Sequence, residues 1–142
     1  MARSLRIFAI GKTKESWLQQ ALADYHKRIE KEVALHLLCL RDDGSLERQT
    51  ADEKGLICLD PKGRLLSSEG FSQLLMSRLE SQSQGVAFAI GGPDGLSPLM
   101  RQRGQLISFS PMIFTHQAIR LLLFEQLYRA LAIAKGSPYH RP

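Results

Sequence analysis

Five short apolar runs separated by polar stretches set the rhythm of the chain: Leu5–Ile10, Val33–Leu40, Gly55–Leu59, Val86–Ile90 and Leu106–Phe109. Short apolar runs that end at breakers predict buried strands. Val33–Leu40 (VALHLLCL) is apolar almost throughout, the pattern of a parallel strand covered on both faces, so His36 reads as a core histidine with satisfied ring nitrogens. Between the runs the spacing turns helical. From about Glu15 to Lys31 the apolar positions are Trp17, Leu18, Ala21, Leu22, Tyr25 and Ile29, mostly three or four apart. A second helix is predicted from about Ser67 to Gln82, with Phe71, Leu74, Leu75 and Leu79 on one face. A short one is predicted over Pro98–Arg103, and a last one from about His116 to Ala134, ended by Gly136 and Pro138. Arg41–Lys54 is polar and charged and reads as a loop or a short exposed helix. Asp60-Pro61-Lys62-Gly63 is a strong turn signal that ends the third strand. The alternation predicts one α/β domain over residues 1–142, with a largely parallel sheet flanked by helices.

Two stretches depart from a plain α/β pattern. Val86–Pro98 (VAFAIGGPDGLSP) is a strand, a tight Gly-rich loop and a helix start: Ser97 suits the cap and Pro98 the first turn. Gly91, Gly92 and Gly95 allow positive φ and a close approach of backbone to a ligand. Ligands of open α/β sheets sit just past the carboxyl ends of strands, which makes this loop a candidate site. The last helix is apolar nearly all round, at Ile119, Leu121, Leu122, Leu123, Phe124, Leu127, Leu131, Ala132 and Ile133. Such a helix is buried on several sides, and in so small a chain a second subunit can supply one of them.

Composition narrows the class. The chain has 142 residues, 44% hydrophobic and 23% charged, as in globular proteins. No apolar run approaches the roughly 20 residues of a membrane span, and the opening MARSLRIFAIGK reads as a strand rather than a signal peptide. Cys39 and Cys58 lie in apolar runs without a CxxC pair, as buried, reduced cysteines of a cytoplasmic protein do. The net charge of +5 is unevenly placed. Residues 95–142 hold six Lys/Arg and one acid, Glu125, while the rest balances. A basic segment joined to a ligand loop fits a polyanionic partner, and it also fits a solvated basic face. Lys12, Lys14, Lys27, Arg28 and Lys31 likewise suit RNA phosphate or simply a helix end.

Several chemistries are excluded. There is no GxxxxGK[ST] or GxGxxG, and no Asp or Glu lies between Asp94 and Glu125 to hold a ribose. His26, His36, His116 and His140 have no partner at metal-ligand spacing, so no metal is expected. No nucleophile elbow is present. What remains is a ligand held by backbone groups and apolar side chains at three strand ends, Leu59, Gly91 and Phe109 onward. Such a slot suits an adenosine without phosphates, of which S-adenosylmethionine is one.

Four stretches carry a resemblance over nearly the whole chain: IFAIGKTK with the later YHKRI, AIGGPDGLSP, ISFSPMIFTHQAIRLLLFEQLYRA, and the closing SPYHR. Together they resemble the ribosomal RNA large subunit methyltransferase H family of the SPOUT superfamily. The resemblance implies a SPOUT α/β-knot with a deep C-terminal trefoil knot, which ordinary topology rules would exclude. It implies a cytoplasmic homodimer that binds S-adenosylmethionine in the knot and methylates N3 of a pseudouridine in a stem-loop of 23S rRNA on the assembled ribosome. It assigns the cofactor to Leu59, Gly91, Phe109, Ser110, Pro111, Met112, Ile113 and Phe114.

Within that resemblance His140 suits proton transfer, Arg141 and Arg129 suit phosphate or a developing anion, and Tyr139 suits stacking on a base. Glu125 and Arg129, spaced i, i+4, are expected to form an intrahelical pair, and His116 is a cap, a packing residue or a part of the site. Two departures stand out. Thr115 occupies the place of the usual proline before the last helix, which predicts a looser or differently capped loop end, and Arg41–Lys54 is shorter than its usual counterpart. Two rival readings stay open: a ribosome-binding or assembly module that has lost catalysis, and a SPOUT methyltransferase acting on tRNA.

Overall fold

The computed structural model describes residues 3–142, so Met1 and Ala2 of the opening run lie outside it. Five strands, β1 (Ser4–Ile10), β2 (Ala34–Leu40), β3 (Ile57–Leu65), β4 (Gly85–Ile90) and β5 (Gln105–Ser108), form one all-parallel sheet in the order β2-β1-β4-β3-β5. Helices α1 (Ser16–Ile29), α3 (Ser68–Ser81) and α5 (His116–Ala134) supply the core on one face of the sheet. Leu18, Leu22, Phe71, Leu75, Leu123, Phe124 and Leu127 pack there on Leu5, Ile7, Phe88 and Ile107. Helices α2 (Asp43–Gln49) and α4 (Pro98–Arg103) bring Leu46 and Met100 to Phe8, Cys58 and Ala89 in a second core cluster. Among the described residues no helix is long and apolar enough to cross a membrane.

β4 is buried at every position, as its apolar run requires. β2 differs from expectation. It lies at the sheet edge and is only partly covered, so His36 is exposed rather than a core residue, and Cys39 is exposed while Cys58 is buried. Its apolar run signals a strand but not its place in the order. Trp17, expected on the apolar stripe of α1, is 62% exposed. Arg41–Lys54 contains the helix α2, with Asp42 as its cap, accepting from Ser45 N at 2.9 Å, and Leu46 fully buried.

The third strand does not stop at the predicted turn. Leu59 and Arg64 both register with Ile107, so Asp60–Gly63 loops outward and pairing with β5 then resumes at Leu65↔Ser108. Gly63 makes the return possible, since a Cβ there would sit 2.6 Å from the Ile107 backbone. The last helix is sandwiched by its own chain. Ser72 donates to Ala130 O at 2.8 Å from α3, and Tyr25 of α1 packs on Tyr128, with ring centroids 6.1 Å apart. Its first turns cross the carboxyl end of β1. There Arg120, fully buried, donates to the carbonyls of Ile10 and Gly11, both at 2.7 Å, and to Thr13 Oγ1 at 2.9 Å.

Candidate functional site

A parallel sheet puts all its carboxyl ends on one edge, and three loops meet there. The loop after β3 brings Leu59 and Asp60, the loop after β4 brings Gly91 to Gly95, and the loop after β5 brings Phe109 to Phe114. With His116 and Ile119 of α5 they form a cleft open on one side and lined mostly by apolar groups. Seven of the eight predicted ligand residues line it: Leu59, Gly91, Phe109, Ser110, Met112, Ile113 and Phe114. Pro111 does not. It is exposed, in the same loop.

The local sequence explains each wall. Gly92 and Gly95 close a tight turn, Gly95 N donating to Gly92 O at 2.9 Å with φ +81° at Gly95. Gly91 matters for room rather than for φ, because a Cβ there would lie 2.4 Å from the Gly95 carbonyl carbon. In the third loop Ser108 accepts from Ser110 N at 3.2 Å, and Ser110 from Met112 N at 2.9 Å, so two hydroxyls replace missing backbone partners. Thr115 caps α5, accepting from Ala118 N at 3.1 Å. The loop end is thus differently capped rather than loose. Met112 and Ile113 stand 74% and 79% exposed beside the cleft.

Asp60 is the wall residue that sequence reasoning missed. It is buried, accepts from Lys62 N at 2.8 Å and pairs with Arg101 at 3.0 Å, which ties the first loop to α4. In the sequence it looked like an ordinary turn acid. His116 also faces the cleft, and burial, then the charges of Arg120 and Lys14, hold its imidazole below the ordinary range.

The other predicted residues gather elsewhere. Arg129 and Glu125 form the expected pair on α5, at 2.7 Å. The closing segment docks on it: Tyr139 Oη donates to Glu125 Oε2 at 2.7 Å, and His140 lies between Arg129 Nη1 and Glu69 Oε2, each at 2.9 Å. Arg129 also stands 4.9 Å over the Tyr139 ring, and Tyr139 meets Tyr128 edge-on at 4.7 Å. Burial and the hydrogen bonds to Tyr25 and Glu125 push the Tyr139 phenol well above its ordinary range. Arg141 is exposed. None of Arg129, Tyr139, His140 and Arg141 lines the cleft within one chain.

The basic excess of residues 95–142 is mostly spent internally. Arg101, Arg129 and Lys135 pair with Asp60, Glu125 and Glu32, Arg103 is bonded to Glu47 O and Thr50, and Arg120 is caged by carbonyls.

The family described as "Predicted SPOUT methyltransferase" matches residues 4–140. The chain belongs to that family. The ribosomal RNA large subunit methyltransferase H of Protochlamydia amoebophila is 43% identical over 137 residues, spanning 96% of this chain and 98% of its own length. The Synechococcus protein of the same name is 41% identical over 143 residues, spanning 96% and 95%. A probable methylase family protein from Haemophilus influenzae superposes with a TM-score of 0.61 at 14% identity, over all of this chain and 72% of its own. That likeness speaks for the fold alone. In this SPOUT methyltransferase the Gly-rich loop and the two seryl turns are therefore walls of one slot at the sheet edge, and the docked tail is a second cluster apart from it.

Proposed function

We propose that the protein is an S-adenosylmethionine-dependent methyltransferase acting on N3 of pseudouridine 1915 in 23S rRNA, on the assembled ribosome. The observation that carries it is the match of nearly the whole chain to relatives named ribosomal RNA large subunit methyltransferase H, together with the cleft where three loops meet. The cleft fits the cofactor: its apolar walls suit an adenine and a methionine chain that bears a sulfonium, and its glycines let backbone groups approach. Leu59, Gly91, Phe109, Ser110, Met112, Ile113 and Phe114 would hold the donor, with Asp60 and His116 as further walls. When bound, S-adenosylmethionine supplies an electrophilic methyl group.

The chain's own residues do the rest. N3 of pseudouridine is an imide nitrogen between two carbonyls, so its proton is weakly acidic. His140 takes that proton. Arg129 and Arg141 favour the resulting anion and hold phosphate, Tyr139 stacks on a base, and the loops align nucleophile with methyl. Because the tail cluster lies away from the cleft of its own chain, the working unit is a cytoplasmic homodimer in which one copy's tail faces the other's slot. The exposed Met112 and Ile113 support such a covering partner. The same reading gives the single domain the family's trefoil knot, supported by the return of the chain from β5 at one sheet edge to the carboxyl end of β1, where Arg120 bonds the Ile10 and Gly11 carbonyls.

The test is to incubate the protein with methyl-labelled cofactor and ribosomes lacking this modification, then map methylated nucleotides in 23S rRNA by mass. A gain of one methyl at that pseudouridine is expected. Absence of label in large-subunit RNA, or label in tRNA instead, overturns the reading. Sedimentation of the same sample as a monomer overturns the dimer.

A further inference from the structure

The two neighbours of His140 have fixed hydrogen-bonding roles. A guanidinium has only N–H donors and no acceptor, whereas an ionised carboxylate has only acceptors. Arg129 Nη1 lies 2.9 Å from Nδ1, and Glu69 Oε2 lies 2.9 Å from Nε2. Nδ1 must therefore accept and Nε2 must donate. A doubly protonated ring would set two N–H groups against each other at Arg129. The contact with Glu69 is thus a hydrogen bond from a neutral imidazole, and not an ion pair.

Each partner is itself held. Glu125 grips Arg129 from the same helix through Nη2 at 2.7 Å, and accepts from Tyr139 Oη on the tail. Glu69 sits in the first turn of α3, where the helix dipole favours a carboxylate. The His140 hydrogen bond, with its own backbone, holds that carboxyl below the ordinary range. The His140 side chain is 15% exposed, so water does little to compete for its nitrogens.

We infer that Glu69 is a positioning residue for His140: with Arg129 it holds the imidazole as the neutral Nε2–H tautomer, the lone pair on Nδ1 covered by a guanidinium N–H. The inference rests on the reading of His140 as the proton acceptor and adds how that acceptor is set. Nδ1 is the nitrogen that takes the N3 proton: N3–H breaks, Nδ1–H forms, and the electron pair stays on N3. It does so only once the Arg129 N–H turns away, as it would toward an RNA phosphate. The sequence pointed to His140 and Arg129 but not to Glu69, which stands 71 residues from His140 and resembles a routine acid at a helix start.

The test is long-range 15N–1H correlation of the ring of His140 in the free full-length protein, with Glu69→Gln and Glu69→Ala beside it. The expected spectrum of the parent has Nδ1 as the deprotonated nitrogen and Nε2 as the protonated one. E69Q keeps that pattern, because its amide oxygen still accepts. E69A shifts it toward an average of tautomers and loses about tenfold or more in methyl-transfer kcat, part of the hundred- to ten-thousandfold a positioned base supplies. Its S-adenosylmethionine affinity by calorimetry stays as in the parent. A merely structural Glu69 would leave the ring spectrum unmoved. A parent spectrum with Nδ1 protonated, or an E69A ring and kcat like the parent's, overturns the inference. The spectrum is read without RNA, so it stands or falls separately from the assignment of the substrate.

Discussion

Arg120 gives the sharpest test of how the last helix is held. Its side chain is fully buried, and the groups that satisfy it are the Ile10 and Gly11 carbonyls, the Thr13 hydroxyl and the Cys39 sulfur, with no carboxylate among them. Its Nε has no partner among the described residues. Replacing it by methionine of similar reach removes the donors and strands two carbonyls in the interior. Each stranded acceptor costs about 1–3 kcal/mol, so the loss is about 2–6 kcal/mol. Release of an unpaired, partly satisfied buried cation returns some of this, which leaves a net loss of about 2–4 kcal/mol. The assay is urea unfolding of parent and Arg120→Met at one protein concentration, so that any self-association weighs equally on both. Arg120→Lys should not rescue: one ammonium on a flexible stem does not reproduce a planar fork that reaches three acceptors. A net change under about 1 kcal/mol in R120M would show that the carbonyls find other partners and that the clamp is incidental.

Three further outcomes are expected. Gly91→Ala puts a methyl group against the Gly95 and Leu96 backbone, so the loop must move; calorimetry should show loss of S-adenosylmethionine binding while the far-ultraviolet circular dichroism stays that of the parent, and parent-like binding would refute the close-approach argument. Burial, then the Asp60 charge, pushes the Cys58 thiol up to about 11, so at pH 8 iodoacetamide should label Cys39 alone, with Cys58 reacting only in denaturant. Burial raises the Glu125 carboxyl, but hydrogen bonds from Arg129 and Tyr139 outweigh it and hold it below the ordinary 4.5. A lowered folded pKa contributes stability that is present above the ordinary value and is lost as pH falls through the folded one. The advantage of the parent over Glu125→Gln in unfolding experiments should therefore be full at neutral pH and shrink as pH falls below 4.5; an advantage that grows in acid would contradict the tail cluster.

The strands and helices were legible because each carries its own period. Val86–Ile90 reads as buried from its composition alone, and Ser97 caps the helix it was expected to cap. The slot was legible for a related reason: three strands that end in small or turn-forming residues on one edge of a parallel sheet leave room there. Other features had no local signal. Asp60-Pro61-Lys62-Gly63 looks like a stop, and only pairing with β5 shows that the strand resumes. His36 and Cys39 look buried until β2 proves to be an edge. Asp60, Glu69 and Arg120 are ordinary charged residues in the chain, and become particular through partners 41, 71 and up to 110 positions away.

The amino-acid order by itself thus determined the α/β alternation, the glycine turn, the Ser97 cap and the candidate ligand loop, since each depends on neighbours within a turn or two of backbone. Tertiary structure alone decided which strand is the edge, where the unpaired guanidinium goes, and which carboxylate faces His140. Those depend on contacts between segments far apart in the chain, and a side chain's charge says that it needs a partner without saying which.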